Sequence, residues 1–298
     1  MRGALPLRFR RQRVLIVGCG DVGVRVVRAL PRRVRVLALA RSQASAQALR
    51  VLGVTPIRGD LDQPVSLARL AGLATRVLHL APPPPQGWQD PRSQALSRAL
   101  RTRAAPQALV YGSTSGVYGD CLGAWVSETR ALAADTPRAK RRVQAEAVVR
   151  GYGRASGVRT SVLRIPGIYA ADRAGGTPHQ RLRNATPVLQ AQDDVYTNHI
   201  HADDLARACL AALWRGKPQR VYNISDDSML KMGDYFDLAA DIYGLPRPPR
   251  LPRNTAQGLL PIGLLSFMGE SRRLDNRRMK QELRLRLRYP TADVGLRA

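Results

Sequence analysis

The 298-residue chain has few cysteines, few aromatic rings, few lysines and few acids. Its three cysteines, Cys19, Cys121 and Cys209, are odd in number and have no CxxC spacing. That pattern argues against a disulfide framework or structural zinc site and points to a reducing compartment. No stretch approaches the ~18 uninterrupted apolar residues that a membrane span requires. The basic start, MRGALPLRFRRQR, leads into VLIVG, a run too short for the core of a signal peptide and better read as a strand. A cytoplasmic, soluble protein with no membrane contact is therefore expected. HExxH, paired carboxylates and GxSxG are all missing, so a metallohydrolase or serine hydrolase has no support and no metal is expected.

Acidic residues number 22 against 48 basic ones, a formal charge of +26, and only four of the basic residues are lysine. Such a surplus attracts polyanions. The arginines, however, are spread over almost every segment, and aromatic residues are 5% of the chain with no interleaved stacking platform. A nucleic-acid partner is accordingly not expected. The surplus reads as arginine occupying lysine and neutral surface positions.

What the chain does have is enough apolar residue, 44%, for a sizeable core, in a length that suits one large domain or two small ones. Short apolar runs alternate with helical patterns, the signature of βαβ units on a parallel sheet. Strands are predicted at 13–17, 34–40, 55–58, 75–80, 108–112 and 160–164. Val22, Val26 and Leu30 form a helical stripe that Pro31 ends, and further helices are predicted at 42–52, 64–73, 92–104 and 137–151. Pro82–Pro85 reads as a stiff spacer. After about Gly167 the alternation breaks down, although 202–214 and 233–243 look helical and 221–224 reads as a strand. The expected architecture is a doubly wound, Rossmann-type parallel sheet over residues 1–168, with segments near 195–225 returning to it. A smaller C-terminal lobe over 169–298 would sit on the substrate side. Within that lobe the arginine-rich 271–288 is expected to be a solvated helical face.

Gly18-Cys19-Gly20-Asp21-Val22-Gly23 is a GxGxxG that follows the first predicted strand and opens the first predicted helix. Its glycines suit a tight turn, close approach of backbone to a pyrophosphate, and close helix–strand packing. The helix N-terminus then attracts the phosphates. The second strand ends in Arg41 and Ser42, and no Asp or Glu lies between Asp21 and Asp60. A carboxylate for a ribose 2′-hydroxyl is thus missing, while Arg41 offers a planar cation for a 2′-phosphate. NADP(H) is favoured over NAD(H). Ser113 and Thr114 end a predicted central strand, where α/β sheets bind their ligands.

Further motifs share one order with the glycine turn: Gly59-Asp60-Leu61-Asp62, Ser113-Thr114-Ser115-Gly116-Val117-Tyr118-Gly119-Asp120, Leu163-Arg164-Ile165-Pro166-Gly167-Ile168-Tyr169 and His199-Ile200-His201-Ala202-Asp203-Asp204-Leu205-Ala206. From about Arg13 to Ser225 the chain resembles the extended short-chain dehydrogenases/reductases, the NAD-dependent epimerase/dehydratase group among them, and within these an atypical bacterial subgroup. The resemblance implies that Asp60 and Leu61 lie against the adenine. It also implies that Thr114 is the catalytic hydroxyl that binds the substrate, with Ser113 beside it. The family's Tyr-x-x-x-Lys dyad is absent: aligning Ala145-Glu146 puts Arg138 at the tyrosine and Arg142 at the lysine position. A guanidinium is not a general acid at neutral pH. Arg142 can still hydrogen-bond the ribose, and Arg138 can bind an anionic substrate or oxyanion. His201 and His79 are the substitute proton donors. The resemblance thus implies an NADP(H)-dependent oxidoreductase or epimerase-like enzyme acting on a small polar or anionic substrate, as a monomer or an oligomer. The alternative is a non-catalytic NAD(P)-binding sensor or scaffold.

Overall fold

The computed structural model describes residues 12–261, 264, 265 and 268–298. The basic start discussed above lies, up to Arg11, outside the described residues.

Alternation of apolar runs and amphipathic segments produces a seven-stranded sheet flanked by helices, a Rossmann-like α/β fold. The strands in chain order are β1 (Arg13–Val17), β2 (Arg35–Ala40), β3 (Thr55–Arg58), β4 (Arg76–His79), β5 (Ala108–Thr114), β6 (Trp125–Val126), β7 (Arg159–Ile165), β8 (Gly167–Tyr169), β9 (Val188–Leu189), β10 (His199–His201), β11 (Arg220–Asn223), β12 (Arg250–Leu251) and β13 (Arg273–Leu274). The main sheet has the order β11-β7-β5-β4-β1-β2-β3. β1 lies between β2 and β4, paired in parallel with both, Leu15 standing opposite Leu37 and Val77. This position explains its composition: Val14, Leu15, Ile16 and Val17 are fully buried, as a strand covered on both faces requires.

Among the described residues the helices include α1 (Asp21–Ala29), α2 (Gln43–Val51), α3 (Pro91–Arg101), α4 (Pro137–Ser156), α5 (His179–Arg183), α6 (Ala202–Arg215), α7 (Met232–Tyr243), α8 (Arg253–Leu259), α9 (Arg277–Glu282) and α10 (Ala292–Leu296). Local chemistry sets several starts. Ser42 caps α2 in a reciprocal box with Ser45, and Asp90 caps α3 by accepting from the Arg92 and Ser93 amides just before Pro91. Leu30 leaves α1 in extended conformation ahead of Pro31. Residues 64–70 form a 3-10 helix where a longer helix was expected, beginning at Pro64.

The chain divides into two compact units. The first runs to Ser113 and resumes at Lys140–Leu163 and Cys209–Arg220; the second comprises Thr114–Ala139, Arg164–Ala208 and the residues from Val221 onward. The second unit has its own core of Tyr169, Leu182, Val188, Met232, Phe236 and Leu296 among others. Among the described residues no helix is long and apolar enough to cross a membrane.

The C-terminal arginine-rich stretch departs from expectation. Instead of a solvated helical face, it contains β13, a short helix at Arg277–Glu282 and an irregular run in which Leu283 and Leu285 are buried while Arg284, Arg286 and Arg288 are exposed. Met279 and Leu283 are fully buried. The apolar residues alternate with arginine at strand spacing, and the density of charge concealed that pattern. The run is held by Asp204, itself fully buried, whose carboxylate accepts from the Arg288 and Tyr289 amides at 2.9–3.0 Å and from Arg207 at 2.6 Å. Replacing Asp204 by Ala is expected to cost roughly 3–5 kcal/mol, because two amides and a guanidinium lose a common acceptor. A shift of the urea-unfolding midpoint smaller than that expected of an ordinary surface substitution would refute this role.

Candidate functional site

In the first unit the sheet delivers a glycine turn between β1 and α1. Gly18 has φ +88°, and a Cβ there would overlap the backbone N of Ala81 and lie 2.6 Å from its Cα. The position requires glycine. Gly20 is different: a Cβ there would meet nothing within 4 Å, and the residue starts α1 with no side-chain cap. The start of α1, the end of a helix that attracts anions, thus has unfilled space beside Gly20. At Gly23 an added Cβ would lie 3.2 Å from Cys19 Sγ, so this glycine serves the turn's internal packing. Burial pushes the Cys19 thiol up to about 11, which makes it a packing group rather than a nucleophile. Asp21 pairs along α1 with Arg25 at 3.2 Å, and Val22 is half-buried beside it.

At the end of β2, Arg41 is exposed. The Ser42 hydroxyl, expected to serve the cofactor, instead accepts from the Ser45 amide at 3.1 Å as the α2 cap. After β3, Asp60 Oδ1 accepts from the Asp62 amide at 3.0 Å, and Leu61 is buried. Asp62 is clasped by Arg92 through two bonds of 2.6 and 2.7 Å, while the same guanidinium donates to the Pro82 carbonyl. Arg92, followed by the charge of Arg41, holds the Asp62 carboxyl below its usual range. Sequence reasoning missed this clasp, because no spacing rule joins a loop after β3 to the start of α3.

His79, at the end of β4, has a different task from the expected proton donor. Its Nε2 lies 3.0 Å from Ser93 Oγ, and Ser93 donates to Asp90 at 2.6 Å. With that hydroxyl proton committed, Nε2 is the donor to Ser93. Burial, aided by the charge of Arg142, lowers the His79 pKa to about 3. It is a neutral core residue at physiological pH, and its ring packs 5.2 Å from that of Tyr111. Ser113, expected at the substrate, donates to the buried Glu146 of α4 at 2.6 Å.

Arg142 extends from α4 to the end of β5, donating to the Tyr111 hydroxyl at 2.9 Å and the Gly112 carbonyl at 2.7 Å. Both bonds use Nη1. The rest of the guanidinium has no hydrogen-bond partner among the described residues. Arg138, one turn earlier on α4, is exposed. Tyr111 is fully buried and burial pushes its phenol up to about 12, so it does not replace the missing tyrosine.

The second unit holds Thr114, whose Oγ1 accepts from the Gly116 amide at 3.2 Å and caps the 3-10 helix Ser115–Tyr118. Tyr118 is structural: its hydroxyl donates to Asn223 at 2.7 Å, and the Arg164 guanidinium lies 4.7 Å over its ring. Close to Gly116 stands Glu270, paired with Arg272 at 2.8 Å; the same Arg272 nitrogen donates to the Gly119 carbonyl. Sequence reasoning missed Glu270, a single acid that follows an apolar stretch with no motif around it. His201 is 5% exposed, accepts from the Asp203 amide through Nδ1 at 3.2 Å, and packs 3.7 Å from the Tyr289 ring. Its proton is thereby placed on Nε2 in the neutral form.

The neighbouring His199 stacks on Tyr235 at 4.0 Å, and burial lowers its pKa to about 4. Asp226 shifts oppositely, burial raising it to about 7. Unfolded histidine titrates near 6.5, so acidification from pH 7 to 5 protonates the unfolded chain first and removes about 2 kcal/mol of stability through His199. Over the same interval the folded Asp226 takes up a proton that the unfolded carboxyl declines, adding a similar amount. His199→Phe is thus expected to make acidification more stabilising, and Asp226→Asn to make it more destabilising. Denaturant titrations at the two pH values test the signs, and equal slopes in both variants would refute the assignment.

The glycine turn and sheet order define a Rossmann-like α/β protein. The chain belongs to the NAD-dependent epimerase/dehydratase family, whose model matches residues 14–225. It is 31% identical to a conserved protein of unknown function from Silicibacter pomeroyi DSS, with 96% of each chain covered and a TM-score of 0.80. It shares its fold with the UDP-glucuronic acid 4-epimerase from Bacillus cereus, solved with NAD (19% identity, 96% and 97% coverage, TM-score 0.76). The same holds for the UDP-glucose 4-epimerase from Thermotoga maritima, solved with UDP-glucose (19% identity, 96% coverage of each, TM-score 0.78). Curated protein sequences provide no match.

Proposed function

We propose that this chain is an NADP(H)-binding oxidoreductase or epimerase-like enzyme that acts on a small polar, hydroxyl-bearing substrate. The observation that carries the proposal is the contrast within the glycine turn: Gly18 is forced by the Ala81 backbone, whereas Gly20 borders unfilled space at an uncapped helix start. Core packing explains the first glycine and leaves the second without a structural reason. Residues of the turn, Gly18 to Gly23, would hold the pyrophosphate, Asp60 and Leu61 the adenine end, Arg41 the 2′-phosphate, and Arg142 the nicotinamide ribose. When bound, the dinucleotide would supply hydride transfer, which amino-acid side chains do not provide.

The chain's own contribution is positioning and proton handling. Thr114 orients a substrate hydroxyl or carbonyl, since its Oγ1 accepts from Gly116 and keeps its hydrogen to donate. Exposed Arg138, at the family's tyrosine position, suits an anionic portion of the ligand. His201 is the remaining histidine candidate, its Nε2 carrying the proton in the neutral tautomer; His79 is withdrawn by its bond to Ser93 and its low pKa.

Titration with NADPH and NADH by nucleotide fluorescence tests the cofactor assignment. NADPH should bind more tightly, Arg41→Asp should remove most of the difference, and Gly20→Val should abolish binding of both while the circular-dichroism spectrum stays native. Equal affinities in the parent protein would overturn the NADP preference. Undiminished binding by a folded Gly20→Val protein would overturn the cradle.

Turnover is tested separately against a panel of carbonyl compounds and nucleotide sugars. Thr114→Ala and His201→Ala should each retain NADPH affinity and lose about 10²–10⁴-fold in rate, the usual worth of a positioned acid–base or orienting group. Full turnover in both variants would refute these roles. NADPH binding with no turnover on any member of the panel favours the sensor alternative, which the arginine at position 138 already suggests.

A further inference from the structure

The glycine turn lies at the edge where β1 ends, and a cavity of about 550 Å³ lies at the opposite edge of the same sheet, where β2 and β3 begin. All of it belongs to the first unit. Its wall draws Val27 and Leu30 from α1 and its end, Val36 from β2, and Leu52 from the position after α2. Arg32 and Arg35 complete it, Arg35 opening β2 opposite Arg13. β1 has five residues, so the two sheet edges stand roughly 16 Å apart. The volume falls within the range of small-molecule sites, about 300–1,000 Å³.

Two helices end at this edge, and a helix end ordinarily offers bare carbonyls that favour cations. Here those carbonyls are occupied. The Val27 carbonyl accepts from the Leu30 amide, that of Leu49 from the Leu52 and Val54 amides, and that of Arg50 from the Gly53 amide. Gly53, at φ +72°, is the left-handed residue that folds the chain back onto α2. What the wall offers instead is two cations. Arg32 and Arg35 are exposed, and neither guanidinium has a hydrogen-bond or ion-pair partner among the described residues. Between Asp21 and Asp60 the sequence holds eight arginines and no acid, so the surrounding stretch of chain supplies no carboxylate. Residues 1–11, which precede Gln12 at this edge, carry four arginines and no acid, so their charge opposes that of the cavity.

We propose that this cavity is a second ligand site, for an amphiphilic carboxylate: a small apolar chain or ring that ends in one carboxyl group. The apolar body displaces water from Val27, Leu30, Val36 and Leu52, which are buried or half-buried against the protein and border the cavity on their remaining side. The carboxylate meets Arg32 and Arg35, whose planar guanidinium groups present paired N–H donors that match its two oxygens. A neutral sugar would leave both arginines unpaired, and a free inorganic anion would leave the apolar wall wet. The site stands on its own residues and does not depend on the cofactor reading.

The probes are decanoate, with a flexible chain, and naphthoate, with a flat ring. Calorimetric titration of the full-length protein with each, with and without saturating NADPH, is expected to show one-site binding of at least one acid, unchanged by NADPH. The tighter of the two tells whether the ligand is a fatty or an aromatic acid. Arg32→Gln combined with Arg35→Gln should weaken that binding at least about tenfold, the usual worth of a hydrogen bond to a charged group. The melting temperature should stay near that of the parent, because both side chains are exposed. The same loss of charge at Arg103 and Arg154, exposed arginines outside the cavity, should leave the affinity within about twofold. Binding of neither acid by the parent protein overturns the site. So does undiminished binding by the folded Arg32 and Arg35 variant, or an equal loss in the Arg103 and Arg154 variant, which would make the attraction a general effect of charge. Competition by NADPH would place the acid at the glycine turn and overturn the site as well. If NADPH does not bind at all, the two double variants still decide, and that failure counts against the cofactor reading alone.

Discussion

The contact of Gly18 with the Ala81 backbone is the constraint on which the first unit depends. β1 and β4 are adjacent parallel strands, and the chain leaves both at the same sheet edge, where the Leu80 and Ala81 amides donate to the Val17 carbonyl. Two exits so close leave no room for a side chain at position 18. The turn passes through the positive φ of Gly18, and α1 starts three residues further on. The anion-attracting end of α1 is therefore a by-product of strand adjacency, available before any ligand is considered.

A second theme is what the arginines do. Several are built into the structure as connectors: Arg92 joins the loop after β3 to the Pro82 carbonyl, and Arg142 joins α4 to the end of β5. Arg164 covers the Tyr118 ring and donates to the Glu128 carbonyl. Each replaces apolar packing with directed bonds from a planar cation that keeps its charge at any physiological pH.

Much of the first unit could be read from residue order. β1 and β3 fall where the apolar runs place them, Pro31 ends α1, and the cap at Ser42 starts α2, because each of these follows from chemistry within a few positions. The glycine turn was legible for the same reason. Partnerships across long stretches of chain were not. Nothing local to Ser113 announces Glu146, nothing near His79 announces Ser93 and Asp90, and Glu270 gains significance only because β13 pairs with β6 and brings it beside Gly116. The stretch from Met279 to Leu287 misled for another reason. Its burial follows helical spacing from Met279 to Leu283 and alternates only from Leu283 to Arg286, but its arginine content resembles a surface helix, and the decisive acceptor, Asp204, lies far earlier in the chain.

That bond between Asp204 and the Arg288 and Tyr289 amides also bears on how the protein is made. The first unit draws its last segment from Cys209–Arg220, so a nascent chain of that length carries everything the unit contains. The second unit begins at Thr114 yet keeps a buried carboxylate waiting for donor partners that emerge only some seventy residues after the first unit is complete. During translation the two halves of the molecule therefore cannot mature together. Every residue of the first unit precedes Val221, whereas the Asp204 carboxylate receives its two backbone amides only once Arg288 and Tyr289 are made.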